Sequence, residues 1–277
     1  MDPPRASTRP RLKFFKKEKT LPDAAAVMTR ALVLERVARF AFAMPSRDQL
    51  AQAMGAQTDA ERDEFRKEGE AMRDRFWNVP GPLREALTPR ERSFARKTVA
   101  TLTEQEQVNA IWRMEALAAI IWALGIADLP PYDEPAGEGT LDLMKPYFRA
   151  VAISKAALRE RAEIERAREV AELWHWRCRT WQLTREGIAP PADSAIRSAA
   201  IAGVADIVRS AATRALDEGT LAAVIDGDFP AFGKPFRTLD SDEWACVRSI
   251  AAERHYAFNW LCGYAPSNAW DDTPTET

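Results

Sequence analysis

Histidine and cysteine are scarce in this chain: two of the former and three of the latter in 277 residues. That leaves little from which to build a soft metal centre. His175 with Cys178 (i, i+3) and His255 with Cys262 (i, i+7) are the nearest approach, and no CxxC or HExxH spacing exists. No metal site is therefore expected, and no cofactor is implied. An odd, sparse set of cysteines (Cys178, Cys246, Cys262) reads as free thiols in a reducing cytoplasm. Nothing approaches the roughly 20 apolar residues of a membrane span. The longest such run, residues 116–127, has the length of a core helix. Residues 1–21 lack an apolar h-region and a cleavage site, so no secretory signal is expected. No GxSxG is present, and a Cys/His dyad would have to come from unrelated helices. Gly233-Lys234 resembles the end of a P-loop, but five residues separate Gly227 from Gly233 and Pro235 follows the lysine. The motif needs four residues between its glycines and a Ser/Thr after the Lys. The segment is expected to be a loop stapled to the body by Phe229, Phe232 and Phe236.

What is present is helix. Hydrophobic content of 46% with 29% charged residues is that of a globular protein. The net charge of −2 argues against an electrostatic nucleic-acid binder. Only residues 1–20 depart from this balance, with seven Lys/Arg against Asp2 and Glu18, a net +5 that leaves −7 for the rest. This basic arm is expected to fray as a disordered tail, and it is the only feature suited to nucleic acid. Thr58 with Glu61, Thr103 with Glu106, and Asp240 with Glu243 are helix-start signatures, and Thr88-Pro89 adds proline at a first helical position. Further helices are expected from Pro22 to about Met44, from Ser46 to Gly55, from Ser154 to about Glu186, and from Asp193 to about Leu216, with a shorter segment around residues 141–151. The first of these carries Val27, Ala31, Leu34, Val37, Ala38 and Ala41 on one face. Residues 222–225 are the one weak strand candidate. The expected architecture is all-α: a single multi-helix domain over residues 21–277, with a Trp-rich core and a C-terminal tail (264–277) docked on the body.

Between Val108 and Ala127 only Arg113 and Glu115 are charged, and apolar residues lie on every face. A helix apolar all round is buried, which makes this the expected central helix. Arg113 and Glu115 stand two apart and cannot pair with each other. Glu253 and Arg254 sit in the same predicament on the last helix. Pairing Arg113 with Glu253 and Glu115 with Arg254 answers both, since buried charge needs a partner. A second constellation is Trp174-His175-Trp176-Arg177-Cys178-Arg179-Thr180-Trp181. Helical spacing puts Trp174, Arg177, Cys178 and Trp181 on one face, with Arg177 between two indoles in the favoured cation–π arrangement. His175 and Arg179 fall on other faces and are expected in solvent. The alternation of sign from Arg159 to Glu169 is that of a solvated helix face. Trp270, beyond the last helix, is expected to anchor the tail, with Asp271 reaching an arginine or a helix N-terminus.

The stretches 112–117 with 122–125, 173–180, 228–234, 253–261 and 270–275 together resemble a bacterial family known as domain of unknown function 4272. The resemblance runs from about Thr20 to the C-terminus, with Cys178 standing where a small residue such as Ser is expected. It implies a mostly helical fold and no established activity or catalytic residues. The functional expectation is binding without catalysis, of a protein partner or a small anionic ligand. The tail is one candidate to close over a pocket in which Arg113, Arg177 and Arg254 converge. The alternative is a hydrolase or transferase using Glu115 or Glu253 as general base, with the same arginines holding an anion.

Overall fold

Asp23 opens the first helix by accepting the Ala26 N–H at 2.8 Å, and α1 then runs Ala24–Ala43. The computed structural model describes residues 21–53, 55, 58–148, 156–188 and 203–275. The basic arm, Ser154 and Asp193 thus lie outside the described residues. Four of the expected starts are capping boxes: Thr58 opens α3 (Asp59–Phe76), Thr88 opens α5 (Pro89–Ala95), Thr103 opens α6 (Glu104–Ala123), and Asp240 opens α10 (Ser241–Leu261). Short helices α2 (Arg47–Ala53), α4 (Gly81–Glu85) and α7 (Gly139–Asp142) link them. α8 (Arg161–Arg185) and α9 (Val204–Asp217) complete the set.

The structure is mostly helical, and its core lies where α1, α6 and α10 meet, with α8 packed along α10. α6 is buried on nearly every side, as its composition requires. α1 is not the one-faced helix expected, because Arg30, Leu32, Val33 and Glu35 are buried as well. It shares the centre with α6. No described helix is long and apolar enough to cross a membrane.

Four expectations are corrected. α8 does not extend back toward Ser154, because residues 156–160 are not helical and Glu160 with Glu163 forms the cap. Arg159 is instead used to finish α6. Its backbone N–H goes to the Ala123 carbonyl at 2.8 Å, its Nε to Trp122 at 2.8 Å, and its guanidinium lies over the Trp122 ring. It is therefore not part of a solvated face. Residues 222–225 form no strand either; Ile225 makes only an isolated bridge to Asp228. The two-residue strands β1 (Pro230–Ala231) and β2 (Lys234–Pro235) follow it and pair antiparallel. Asp226-Gly227 (φ 49° and 75°) and Phe232-Gly233 (φ 53° and 71°) both hold the positive φ pair of a tight hairpin turn. Residues 225–236 are thus a double hairpin that seats Phe229 and Phe236 in the core and leaves Phe232 40% exposed. Phe232 is no staple; its N–H instead goes to Asp133 Oδ2 at 2.6 Å.

Candidate functional site

The structure gathers the sequence-predicted site residues in three groups joined by shared aromatics, Tyr132 lying between Arg254 and Trp174 and Tyr256 between Arg113 and Trp270. At the centre, α6 and α10 cross with their charges in register. Arg113 Nη1 donates to Glu253 Oε2 at 2.9 Å, and Arg254 Nε and Nη2 donate to Glu115 Oε2 at 3.0 and 2.8 Å. Arg254 is fully buried and also donates to the carbonyls of Pro130, Pro131 and Glu134. Glu115 Oε1 accepts the Ala136 N–H at 2.6 Å. The pair thereby ties the proline-rich segment 130–136 to the core, and Arg254 lies 4.9 Å over the Tyr132 ring. Burial pushes the Glu253 carboxyl above its ordinary range, with Arg113 pulling the other way.

The tail is the second place. Trp270 packs edge-on against Tyr256 and Trp260, under the Arg30 guanidinium. Its carbonyl accepts the Tyr256 hydroxyl. Asp271 Oδ2 accepts the Arg90 N–H at 3.2 Å, at the start of α5. The tail does not close over converged arginines, since Arg254 and Arg177 have different partners in different parts of the molecule.

The third place is the Arg177 row on α8. Trp174 stacks on Tyr132 and Trp181 on Trp244, so each indole finds an aromatic from another element. Arg177 is not held between them. Its Nε and Nη2 donate to Asp228 Oδ1 and Oδ2, both at 2.8 Å, and its guanidinium covers Phe236 at 4.5 Å. A two-pronged bond to a carboxylate outweighs an indole face, and the double hairpin brings that carboxylate within reach. Asp228 is satisfied on both oxygens, because Phe229 N–H and Arg237 N–H donate to it as well.

Beside this pair lies a cleft of about 410 Å³ between the end of α8, the start of α9 and the first hairpin turn. Arg177, Arg185, Arg209 and Arg237 line it against Asp226 and Asp228. Trp181, Val204 and Val208 supply its apolar wall. Arg209 and Arg237 are exposed; Arg209 pairs with Asp206 at 2.8 Å, and Arg237 donates to the Asp226 carbonyl at 3.0 Å and stands 3.6 and 3.9 Å from the Asp226 and Asp228 carboxylates. Gly227 suits its turn because its φ is +75°. Arg185, Arg209 and Arg237 are absent from the sequence reading, and Asp228 enters it only within the 228–234 stretch, with no partner assigned. Asp226-Gly227, a strong hairpin signal, was the available clue.

His175 is not in solvent. Its Nδ1 lies 3.0 Å from Nδ1 of His255, and the two rings meet edge to face. Asn259 Nδ2 donates to His255 Nε2 and to the Pro274 carbonyl. Those partners assign the His255 proton to Nδ1, pointing at His175. Burial pushes His255 down to about 3, with His175 and Arg168 adding to the effect; His175 is also lowered, by burial and then by Arg248 and Arg179. Both rings are therefore neutral when folded, whereas the unfolded chain protonates below pH ~6.5. The unfolded state then binds more protons, so stability falls as pH drops through that value, by about 1.4 kcal/mol per pH unit for His255. Glu35 and Glu253, both raised by burial, work in the opposite direction. Comparing wild type with His255→Asn cancels them. Between pH 6.5 and 5.0 the wild type is expected to lose about 2 kcal/mol more than the variant in urea unfolding; equal losses would refute the buried neutral pair.

Among the described residues, no group of three or more His, Cys, Asp or Glu side chains is placed to hold a metal ion. Burial pushes the Cys178 thiol up to about 12, which removes it as a nucleophile near neutral pH.

Taken together, fold and site define a mostly helical protein with a paired ionic core and an arginine-lined cleft. The chain belongs to the family described as Domain of unknown function (DUF4272), whose model matches residues 10–202. That match stops short of α9, the double hairpin and α10, so the C-terminal motifs of the sequence resemblance lie beyond it. No curated protein and no solved structure matches the chain.

Proposed function

We propose that this protein acts by binding a small anionic ligand in the cleft between α8, α9 and the first hairpin turn, without catalysis. The observation that carries the reading is the set of four arginines, Arg177, Arg185, Arg209 and Arg237, on a cleft of about 410 Å³ with an apolar wall. Pockets that take small molecules combine such a wall with a few placed polar groups, and arginine forks suit oxyanions. Glu115 and Glu253, the general bases of the enzymatic alternative, do not line this cleft. Both Glu115 oxygens are already occupied. The reading takes residues 21–277 as one working unit of a cytoplasmic bacterial protein.

A thermal-shift screen of the full chain against phosphorylated metabolites, organic acids and nucleotides, at fixed ionic strength, tests it. A ligand at 100 times its Kd is expected to stabilise by about 2.7 kcal/mol, a rise in Tm of roughly 5–10 °C. The rise should vanish in an Arg209→Gln/Arg237→Gln variant. If no anion shifts the melt, or the shift survives in that variant, the cleft is not the site.

A further inference from the structure

We propose that His175, His255 and Asn259 form a proton-operated latch on the end of the C-terminal tail. A proton taken up by His175 inverts the hydrogen bonds from ring to ring to amide and so releases the Pro274 carbonyl. None of these residues lines the cleft, so the latch stands apart from the anionic-ligand reading.

The direction of every bond in this chain is fixed at its far end. Asn259 Nδ2 donates to the Pro274 carbonyl at 2.8 Å, and a carbonyl can only accept. Arg168 Nη1 donates to Asn259 Oδ1 at 3.4 Å, and a guanidinium can only donate. The amide therefore has one workable orientation, which puts its second N–H on His255 Nε2 at 3.0 Å. His255 must then carry its proton on Nδ1, and His175 accepts it, 3.0 Å away, with a bare Nδ1. His255 is buried, whereas His175 is partly exposed. A proton from water thus arrives first at His175.

That proton places two N–H groups head to head. The ring contact survives only if His255 gives its Nδ1 proton to water and takes one on Nε2, so the pair gains one proton in all. The new Nε2–H points at the Asn259 N–H₂, and the amide must turn over to present Oδ1. Turned over, Oδ1 faces the Pro274 carbonyl and Nδ2 faces Arg168, two pairings of like groups. The Pro274 carbonyl loses its donor, and water replaces it because Pro274 is exposed. Trp270 keeps its seat against Tyr256 and Trp260, which confines the release to residues 273–275.

The charged groups that act on the two rings are Arg168 and Arg179 from α8 and Arg248 from α10. Arg168 is paired with Glu172 at 3.0 Å and lies over the Tyr264 ring. The tail brings Asp271 and Asp272, of which Asp271 is taken by the Arg90 N–H at the start of α5. Burial, then Arg248 and Arg179, hold His175 below its ordinary range, so the latch is closed at neutral pH and opens on the acid side.

NMR on the full chain tests this, and with two histidines in the sequence both rings are readily assigned. Between about pH 7.5 and about pH 5, His175 is expected to gain a proton while His255 moves its own from Nδ1 to Nε2. The Thr273 and Thr275 amide resonances are expected to move with the same midpoint. The released population should rise by up to about tenfold per pH unit, the limit for one proton. His175→Asn keeps an acceptor near the Nδ1 position and cannot titrate, so its tail amides are expected to stay in place across this range. If His175 titrates while His255 keeps its proton on Nδ1, the ring has turned out to water and the relay is overturned. Tail amides that stay still as His175 titrates, or that move equally in His175→Asn, would overturn it as well. Should His175→Asn fold poorly, the wild-type midpoints suffice: a tail midpoint that differs from that of the His175 ring refutes the latch.

Discussion

Replacing Arg254 by methionine is expected to lower the unfolding free energy by about 3–5 kcal/mol, the usual consequence of orphaning a buried charge. Methionine nearly fills the volume, so the loss comes from the partners left behind. Glu115, itself buried, would keep only the Ala136 N–H, and the carbonyls of Pro130, Pro131 and Glu134 would lose their donor. The fall in Tm should be on the order of 10 °C. Adding Glu115→Leu should recover part of this, because two apolar residues in place of a buried pair are often tolerated. Recovery stays incomplete, since the backbone groups of residues 130–136 remain without partners. A double-mutant cycle in urea isolates the coupling. An Arg254→Met protein that melts within a degree or two of wild type would show that the pair does not hold the core.

The second large effect is expected at Asp228. Asp228→Asn keeps the shape and removes the charge, leaving the Arg177 guanidinium buried with a neutral partner. The amide must also present an N–H₂ to donors, because Arg177 and the N–H groups of Phe229 and Arg237 all donate into this carboxylate. A loss of about 3–5 kcal/mol is expected from the unpaired buried charge. Glu253→Gln is the informative contrast. Its partner Arg113 is 30% exposed and can turn to water, so about 1 kcal/mol is expected there. Urea unfolding of the two variants side by side checks the difference. Comparable losses would mean that burial is not what sets the strength of these pairs.

Much of the helical frame was legible in the residues because capping is a local event. Thr58, Thr88, Thr103 and Asp240 each satisfy N–H groups two or three residues away, and nothing distant has to be known. The pairing of Arg113 with Glu253 and of Arg254 with Glu115 was also legible, for a different reason. Two apolar helices carried few charges, and each charge needed an opposite one on another element. Arg177 had no such restriction. Its neighbours on the helix were indoles, and the sequence offered no reason to prefer Asp228, 51 residues on, over any other carboxylate. The histidines show the same limit: their separation of 80 residues hides a 3.0 Å contact that exists only because α8 lies along α10.

The sequence by itself therefore determined where helices begin, which helix must be buried, and that its charges need partners, because these follow from short-range hydrogen bonding and the cost of desolvation. Tertiary structure alone decided which arginines are consumed by the core and which are left facing a cleft. Arg254 and Arg177 are alike in composition and local pattern. One is closed off by five hydrogen bonds, while the other stands at the edge of an opening that α9 and a hairpin turn complete. That difference arises from the packing of elements far apart in the chain, which no local spacing encodes.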